Sequence, residues 1–588
     1  MAVETDTETE FGEVSRLRGA IFEYVSLGAS VVGLLALAAL LIYVFVDAFG
    51  LATASPAWLL TYFLTLVVPY IGFCLYSVGD RAFTRKVALA LGGGLVVTAV
   101  GFTAIETLVG TIPRLTWQLA YLFLVATPTV ASVTFVASRE PVGTVGFGLI
   151  GRLIGGAALG CAVAVMFIVI DRPLWFLVYT LGVLPAVGVA AYGRRTDFEW
   201  TAVAAGVIGL VGFVVATVLR PVVGIYPSDG LIYLWTLGIP LAVGAAGIVW
   251  LREASRKRVA AVGGSTLLAA AAGILLGSSA LPNGSGVIVT GATVAAIGVY
   301  LTEAVDADAG RQGLLLPVLL AVGALAGAAV VQLVGITTPE MWLTPEYVTS
   351  APSNTAAEAG LYPAIVGSII IIGIVAVLSF VLGVGAAVFL EEYAAGTGLV
   401  GRITRLFQIN IANLAAVPSV VYGLLGLGLF ANLLGFGFGT AVTIALTLSL
   451  LILPITVISA QEALRSVPDE LRQGSYAMGA TRWQTIKNVV LPEAMPGMLT
   501  GTILALGRAI GETAPLIMVG AATTVFSAPS GIWSRFSAMP MQIYAWANFP
   551  QEEFRYGVVA AGVVTLLIVL LAMNGTAIII RNRMEREH

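Results

Sequence analysis

Apolar stretches of about twenty residues follow one another almost without pause from residue 24 to residue 580. A bilayer core of about 30 Å is crossed by about 20 helical residues, so each stretch predicts a transmembrane helix. They lie near 24–48, 57–77, 87–109, 117–137, 145–170, 174–192, 199–219, 231–251, 259–281, 286–303, 313–336, 363–390, 411–434, 438–460, 497–522 and 556–580. Sixteen spans predict an all-α, polytopic transmembrane bundle embedded in a lipid bilayer. The chain is 59% hydrophobic and 10% charged. A soluble domain carries about 25% charged residues, and this much apolar surface cannot be hidden in a water-soluble core.

The loop charges test that parse. With the N-terminus inside, the inside loops hold Arg81, Arg85, Lys86, Arg139, Arg194, Arg195, Arg252, Arg256, Lys257, Arg258, Arg311, Arg402, Arg405, Arg465, Arg472, Arg482, Lys487, Arg581, Arg583 and Arg586. The outside loops hold only Arg114, Arg172, Arg220, Arg535 and Arg555. Loops rich in Lys and Arg stay cytoplasmic, and the bias alternates with every span, so both termini are expected in the cytoplasm of a multi-pass cell-membrane protein.

Residue usage excludes several chemistries. The net charge of −3 gives no reason to expect nucleic acid. The preference for Arg over Lys fits either a salt-rich cytoplasm or GC-rich coding. His588 is the only histidine, so histidine zinc sites and Ser-His-Asp catalysis are excluded. Cys74 and Cys161 sit in apolar runs as packing residues, not as a metal pair. None of the three lysines follows a glycine, so there is no phosphate-cradling Gly-Lys-Ser/Thr loop. No cofactor is expected on this chain, and any ATP and Mg must be bound by another one.

Residues 1–20 read as an acidic, solvated cytoplasmic tail. The charged loop near 303–312 divides the rest. Residues 21–305 form about ten spans with short loops, no visible internal repeat and no recognisable motif. Glu106 and Arg152 lie inside their apolar runs, as functional charges or as snorkelling and helix-pairing residues. Residues 306–588 form about six spans with longer loops on both faces.

The loop 461–496 is the most informative cytoplasmic segment. Ser466, Pro468, Asp469 and Glu470 predict a helix start, and Gly479 a break near Met478. Thr481 then caps a second helix, Arg482–Leu491, which Pro492 and Pro496 are expected to close. Tyr476, Met478, Trp483 and Ile486 give it apolar knobs among charges, suited to a protein partner or to lipid headgroups. In the next span Arg508 and Glu512 stand four residues apart, on one helix face. They form either a self-neutralising pair that locks two helices or a polar station on a path for anions. Glu391 and Glu392 mark a helix end, as solvated termini or as part of a gate.

The spacing of Gly479, Val489, Leu491 and Pro492 resembles the "EAA" loop of ABC importer permeases. In that family the loop forms a coupling helix seated in a cleft of the ATPase. Gln473, Gly474 and Ser475 stand where Glu-Ala-Ala is usual, so the family's glutamate charge is absent. The run RAIGETAPL (508–516) resembles the PstA-type phosphate permeases more specifically. FLEEY (389–393), NIANLAAVPSVVYG (410–423) and MPMQIYAWANFPQEEF (539–554) agree with it. The resemblance covers roughly 345–588.

It implies a type I (MetI-like) permease core, the membrane subunit of an ATP-driven phosphate importer. Coupling to the ATPase falls on Gln473, Gly474, Gly479, Ala480, Thr481, Leu491 and Pro492. The translocation path falls on Arg508, Glu512, Thr513, Asn410, Asn413 and Ser419. The implied partners are a PstC-like second permease, a PstB-like ATPase dimer and a PstS-like phosphate-binding protein. Alternatives are a permease for sulfate, molybdate or tungstate, or a phosphate-signalling membrane subunit.

Overall fold

The computed structural model describes residues 16–167, 170–196, 200–275, 284–306, 310–394, 399–522 and 524–586. Most of the acidic tail, part of the 303–312 loop and His588 lie outside them. Among the described residues fifteen helices are long and apolar enough to cross a membrane, and a bent pair brings the number to as many as sixteen. Numbered in chain order, span 1 is Ile21–Ala48, span 2 Pro56–Val78, span 3 Arg81–Val109, span 4 Arg114–Ala137, span 5 Pro141–Met166 and span 6 Arg172–Gly193. Span 7 is Thr201–Leu219, span 8 Asp229–Leu251, span 9 Arg256–Leu275, span 10 Gly286–Ala304, span 11 Arg311–Val334 and span 12 Tyr362–Tyr393. Span 14 is Ala441–Arg465, span 15 Arg482–Gly511 and span 16 Glu553–Ile578. In place of a straight span 13 there are two helices, Thr404–Ala415 and Ser419–Leu433, meeting at 106°. Pro418 causes the break, because its ring disfavours helical geometry in Val417 and it opens the second helix as N-cap.

Spans 2, 4, 6 and 8 share a local design that the sequence alone did not reveal. Each contains one widened, π-helical turn: Phe63–Val67, Leu122–Ala126, Tyr179–Val183 and Leu234–Gly238. Each turn is followed two residues later by proline, namely Pro69, Pro128, Pro185 and Pro240. Proline has no N–H to give and its ring crowds the carbonyl four residues back, and the wider turn relieves both. In spans 2 and 6 the carbonyls so released are where neighbours approach closely. A Cβ on Gly323 of span 11 would come within 2.4 Å of the Thr65 oxygen, and one on Gly212 of span 7 within 2.5 Å of the Leu181 oxygen. Small residues let membrane helices close on such exposed backbone.

A large buried apolar cluster lies between spans 12, 14 and 15, where Ile370, Ile371, Ile444, Leu448, Ile452 and Ala505 are buried together. Span 1 packs on span 16 through Ala48, Ala560 and Val564. The Ala48 carbonyl accepts hydrogen bonds from the Trp342 and Leu343 N–H groups at 3.1 and 3.0 Å. Trp342 in turn lies against Gly557, where a Cβ would come within 2.3 Å of its ring.

Candidate functional site

Span 15 begins in the 461–496 loop. Helix Asp469–Ala477 is opened by Pro468, not by Ser466, which instead ends span 14 with its hydroxyl bonded to the Ala463 carbonyl at 2.8 Å. Gly479 turns the chain at φ +81 with open space where a Cβ would stand, so its glycine is demanded by backbone angle and not by crowding. Thr481 then forms a capping box with Gln484: each satisfies an N–H of the other, at 2.8 and 3.4 Å.

The prolines do not close the second helix. A π-helical turn, Ile486–Val490, takes up the missing N–H of Pro492, and the helix continues through Pro496 to Gly511. The element that meets solvent at Thr481 is therefore the same rod that carries Arg508. Gln473, Gly474, Gly479 and Thr481 are exposed, while Ala480, Leu491 and Pro492 are half-buried. The exposed apolar side chains are Leu471, Tyr476, Met478 and Trp483, with Met478 88% exposed at the tip. That surface is available to a partner.

The loop is fastened to span 12 by the two glutamates of FLEEY. Glu391 accepts from Gln461 Nε2 at 2.7 Å and from Arg465 Nε and Nη2 at 2.9 and 2.5 Å. Glu392 is buried and accepts from Arg472 Nη1 at 2.6 Å, while Arg472 Nη2 donates to the Leu464 carbonyl at 2.6 Å. Arg482 donates to the Glu392 carbonyl and stands 5.3 Å over the Tyr393 ring. These glutamates are structural anchors of the loop and not solvated helix ends. The sequence named both, but which arginines they hold depends on separations of 74 to 90 residues.

At the other end of span 15 the helix stops at Gly511, and Glu512 is its extended C-cap at ψ 126. Arg508 and Glu512 therefore do not share a continuous helix. They still meet, Arg508 Nε donating to Glu512 Oε1 at 3.1 Å. The Arg508 side chain is 45% exposed and that of Glu512 16%. Among the described residues the terminal amino groups of Arg508 have no protein hydrogen bond. Thr513 stands at the N-cap position of the short helix Ala514–Met518 without a side-chain hydrogen bond to it, and that helix packs on the second half of the bent pair. Gly423 makes that contact possible: a Cβ there would come within 2.7 Å of Met518 Cβ and 2.8 Å of Pro515 Cα. Tyr422, one residue earlier, is within electrostatic reach of Arg508. Its hydroxyl donates to the Leu414 carbonyl at 2.8 Å and so ties the two bent helices together.

The remaining path candidates are less gathered. Asn410 and Asn413 are exposed, and Asn410 bonds its own helix at the Leu406 carbonyl, 2.9 Å away. Ser419 is half-buried just after the break. No hydrogen bond or ion pair among the described residues joins these three to Arg508 or Glu512. A cavity of about 460 Å³ lies elsewhere, lined by Glu340, Trp342, Glu346, Tyr347 and Glu358 among others. Beside Ala509, Ile510 and Leu516 the void is only about 10 Å³. The core beside Ala509, Ile510 and Leu516 is tightly packed, while the Arg508 side chain itself is 45% exposed.

The sequence profile described as "Binding-protein-dependent transport system inner membrane component" matches residues 383–585. The chain is 40% identical over 223 residues to "Phosphate transport system permease protein PstA 1" of Mycobacterium tuberculosis (strain CDC 1551 / Oshkosh), covering 38% of this chain and 70% of that one. It is 38% identical over 179 residues to "Probable ABC transporter permease protein YqgI" of Bacillus subtilis (strain 168), covering 30% and 59%. A solved structure described as "Inward facing conformations of the MetNI methionine ABC transporter: CY5 native crystal form" aligns with a TM-score of 0.32 at 19% identity, covering 38% of this chain and 97% of that one. The chain belongs to the binding-protein-dependent transport system inner membrane components, in the branch that includes the PstA phosphate transport permeases.

Proposed function

We propose that this chain is a membrane subunit of an ATP-driven phosphate importer and that Arg508 is the station on its path where the anion is met. The observation that carries the reading is the half-exposed Arg508, held through Nε by Glu512 with its terminal amino groups unbonded. A guanidinium fork matches two oxygens of an oxyanion and keeps its charge at any physiological pH. Glu512 neutralises the arginine between passages, which lowers the cost of a charge in the membrane, about 2.5–3.5 kcal/mol by insertion scales. It also weakens the hold on the anion, which must leave again. The half-exposed Arg508, beside the tightly packed core at Ala509, Ile510 and Leu516, favours a path between this chain and a second permease.

The exposed loop at Gln473–Pro492 is the docking surface for a separate ATPase. Span 15 joins that loop to Arg508 without interruption, so a displacement of the coupling helix is carried along one rod to the anion station. This requires the coupling loop and both termini in the cytoplasm, with an extracellular phosphate-binding protein approaching the 337–362 and 523–555 loops. ATP and Mg are bound by the partner, and this chain performs no covalent step.

The test is phosphate uptake by cells expressing Arg508→Ala. Losing a charged hydrogen-bond partner of about 1.5–3 kcal/mol lowers uptake roughly 10–100-fold, with assembly unchanged by co-purification. Arg508→Lys keeps the charge without the fork and loses less. Unaltered phosphate uptake with lost sulfate or molybdate uptake transfers the site to another oxyanion.

A further inference from the structure

We propose that the ten spans 2–11 are a module inserted into the loop after span 1, and that span 1 with spans 12–16 forms a complete six-span permease. The dividing lines then fall near residues 50 and 340, instead of near 305. Four observations support this. First, span 1 packs on span 16 through Ala48, Ala560 and Val564, with Val44, Phe49 and Leu343 around them. Second, the chain leaves the core and returns to it at one point. The Ala48 carbonyl accepts from Trp342 and Leu343. Gly50, at φ +57, is so close to Glu340 that a Cβ would come within 2.0 Å of its oxygen.

Third, the two ends of the module are stitched to each other. The Ser55 hydroxyl donates to the Thr337 carbonyl at 3.0 Å, and the Glu340 N–H donates to Thr53 Oγ1 at 3.0 Å. Span 11 lies on span 2 through Gly323 and Gly327, which face Thr65 and Tyr62. Adjacent chain ends are the geometric condition for inserting a domain into a loop. Fourth, ten is an even number, so the chain returns to the side of the membrane it left and the topology of the host is preserved. The module is docked on the core mainly through span 5, whose Val165 joins the buried cluster of spans 12, 14 and 15 and whose Met166 sulfur lies 3.0 Å from where a Gly373 Cβ would stand.

One experiment on the full chain and one deletion test the proposal. In the intact protein, Ala48→Cys with Ala560→Cys is treated with oxidant or a short thiol cross-linker and digested. The expected product is a 48–560 peptide adduct, and its absence overturns the proposal. This arm does not depend on what is transported. In the second arm residues 51–339 are replaced by Gly-Ser. The excised chain is expected to co-purify with the ATPase and to support phosphate uptake within about twofold of the full chain. Full membrane insertion without ATPase capture overturns the proposal, and if the excised chain does not accumulate, the cross-link decides. The uptake arm rests on the phosphate reading. A full-length chain that moves no phosphate, yet gives the 48–560 adduct, sinks that reading and leaves the insertion standing.

Discussion

At the scale of single residues, the sharpest consequences come from charges placed where membrane proteins rarely afford them. Glu392 and Arg472 have side chains 9% and 17% exposed and bond at 2.6 Å. Removing one partner leaves the other buried and unpaired, which costs about 3–5 kcal/mol. Glu392→Ala is therefore expected to loosen the coupling loop, read as faster hydrogen exchange over 469–490 and as ATP hydrolysis that no longer drives uptake. Substituting both, Glu392→Leu with Arg472→Met, is expected to recover much of the stability, since an apolar pair of similar size is tolerated where one orphaned charge is not. Equal damage from the double and single variants would count against this account. Glu391 bonds the more exposed Arg465, whose side chain is 57% accessible, so its loss is expected to be milder.

At the scale of elements, glycine decides how closely helices approach. Gly423 has Met518 Cβ 2.7 Å and Pro515 Cα 2.8 Å from where its own Cβ would be. Gly423→Val is expected to push the bent pair off the 514–518 helix and to abolish uptake, with the chain still inserted, as judged by membrane fractionation. Gly479 is a contrasting case, with nothing nearby and φ +81. Gly479→Ala is expected to cost only about 1 kcal/mol and to weaken ATPase capture without disturbing the fold, while Gly479→Asn is better tolerated because asparagine accepts that backbone region. The π-helical turn before Pro492 lets the helix that starts at Arg482 run on into the membrane as span 15. Helix breaks at proline are legible in sequence; whether a helix stops there or widens and continues is settled by what packs around it.

At the scale of the whole molecule, the inserted arrangement predicts that an N-terminal truncation at residue 305 fails even though it removes only unmatched sequence. The truncation takes away span 1, whose Ala48 seals the 342–343 turn. The expected result is loss of ATPase co-purification, restored when residues 1–50 are supplied as a separate segment. Recovery with the truncated chain alone would show that span 1 is not part of the permease.

What the sequence by itself determined here is local and periodic. Apolar run length located most spans to within about six residues, with two exceptions: one run proved to be a pair of helices bent at Pro418, and the run at 497–522 proved to be the end of a helix that starts at Arg482 and stops at Gly511. The run Arg508–Leu516 and the Gly479–Pro492 spacing pointed to the family later found by comparison. Tertiary structure alone decided the pairings between distant parts: Glu392 with Arg472, Gly423 with Pro515, and Ala48 with Trp342. The physical reason is that hydropathy reports the preference of a segment for lipid, which spans 1 and 2 both have. Which helix each one packs against depends on steric fit and on single hydrogen bonds, and neither leaves a period in the sequence.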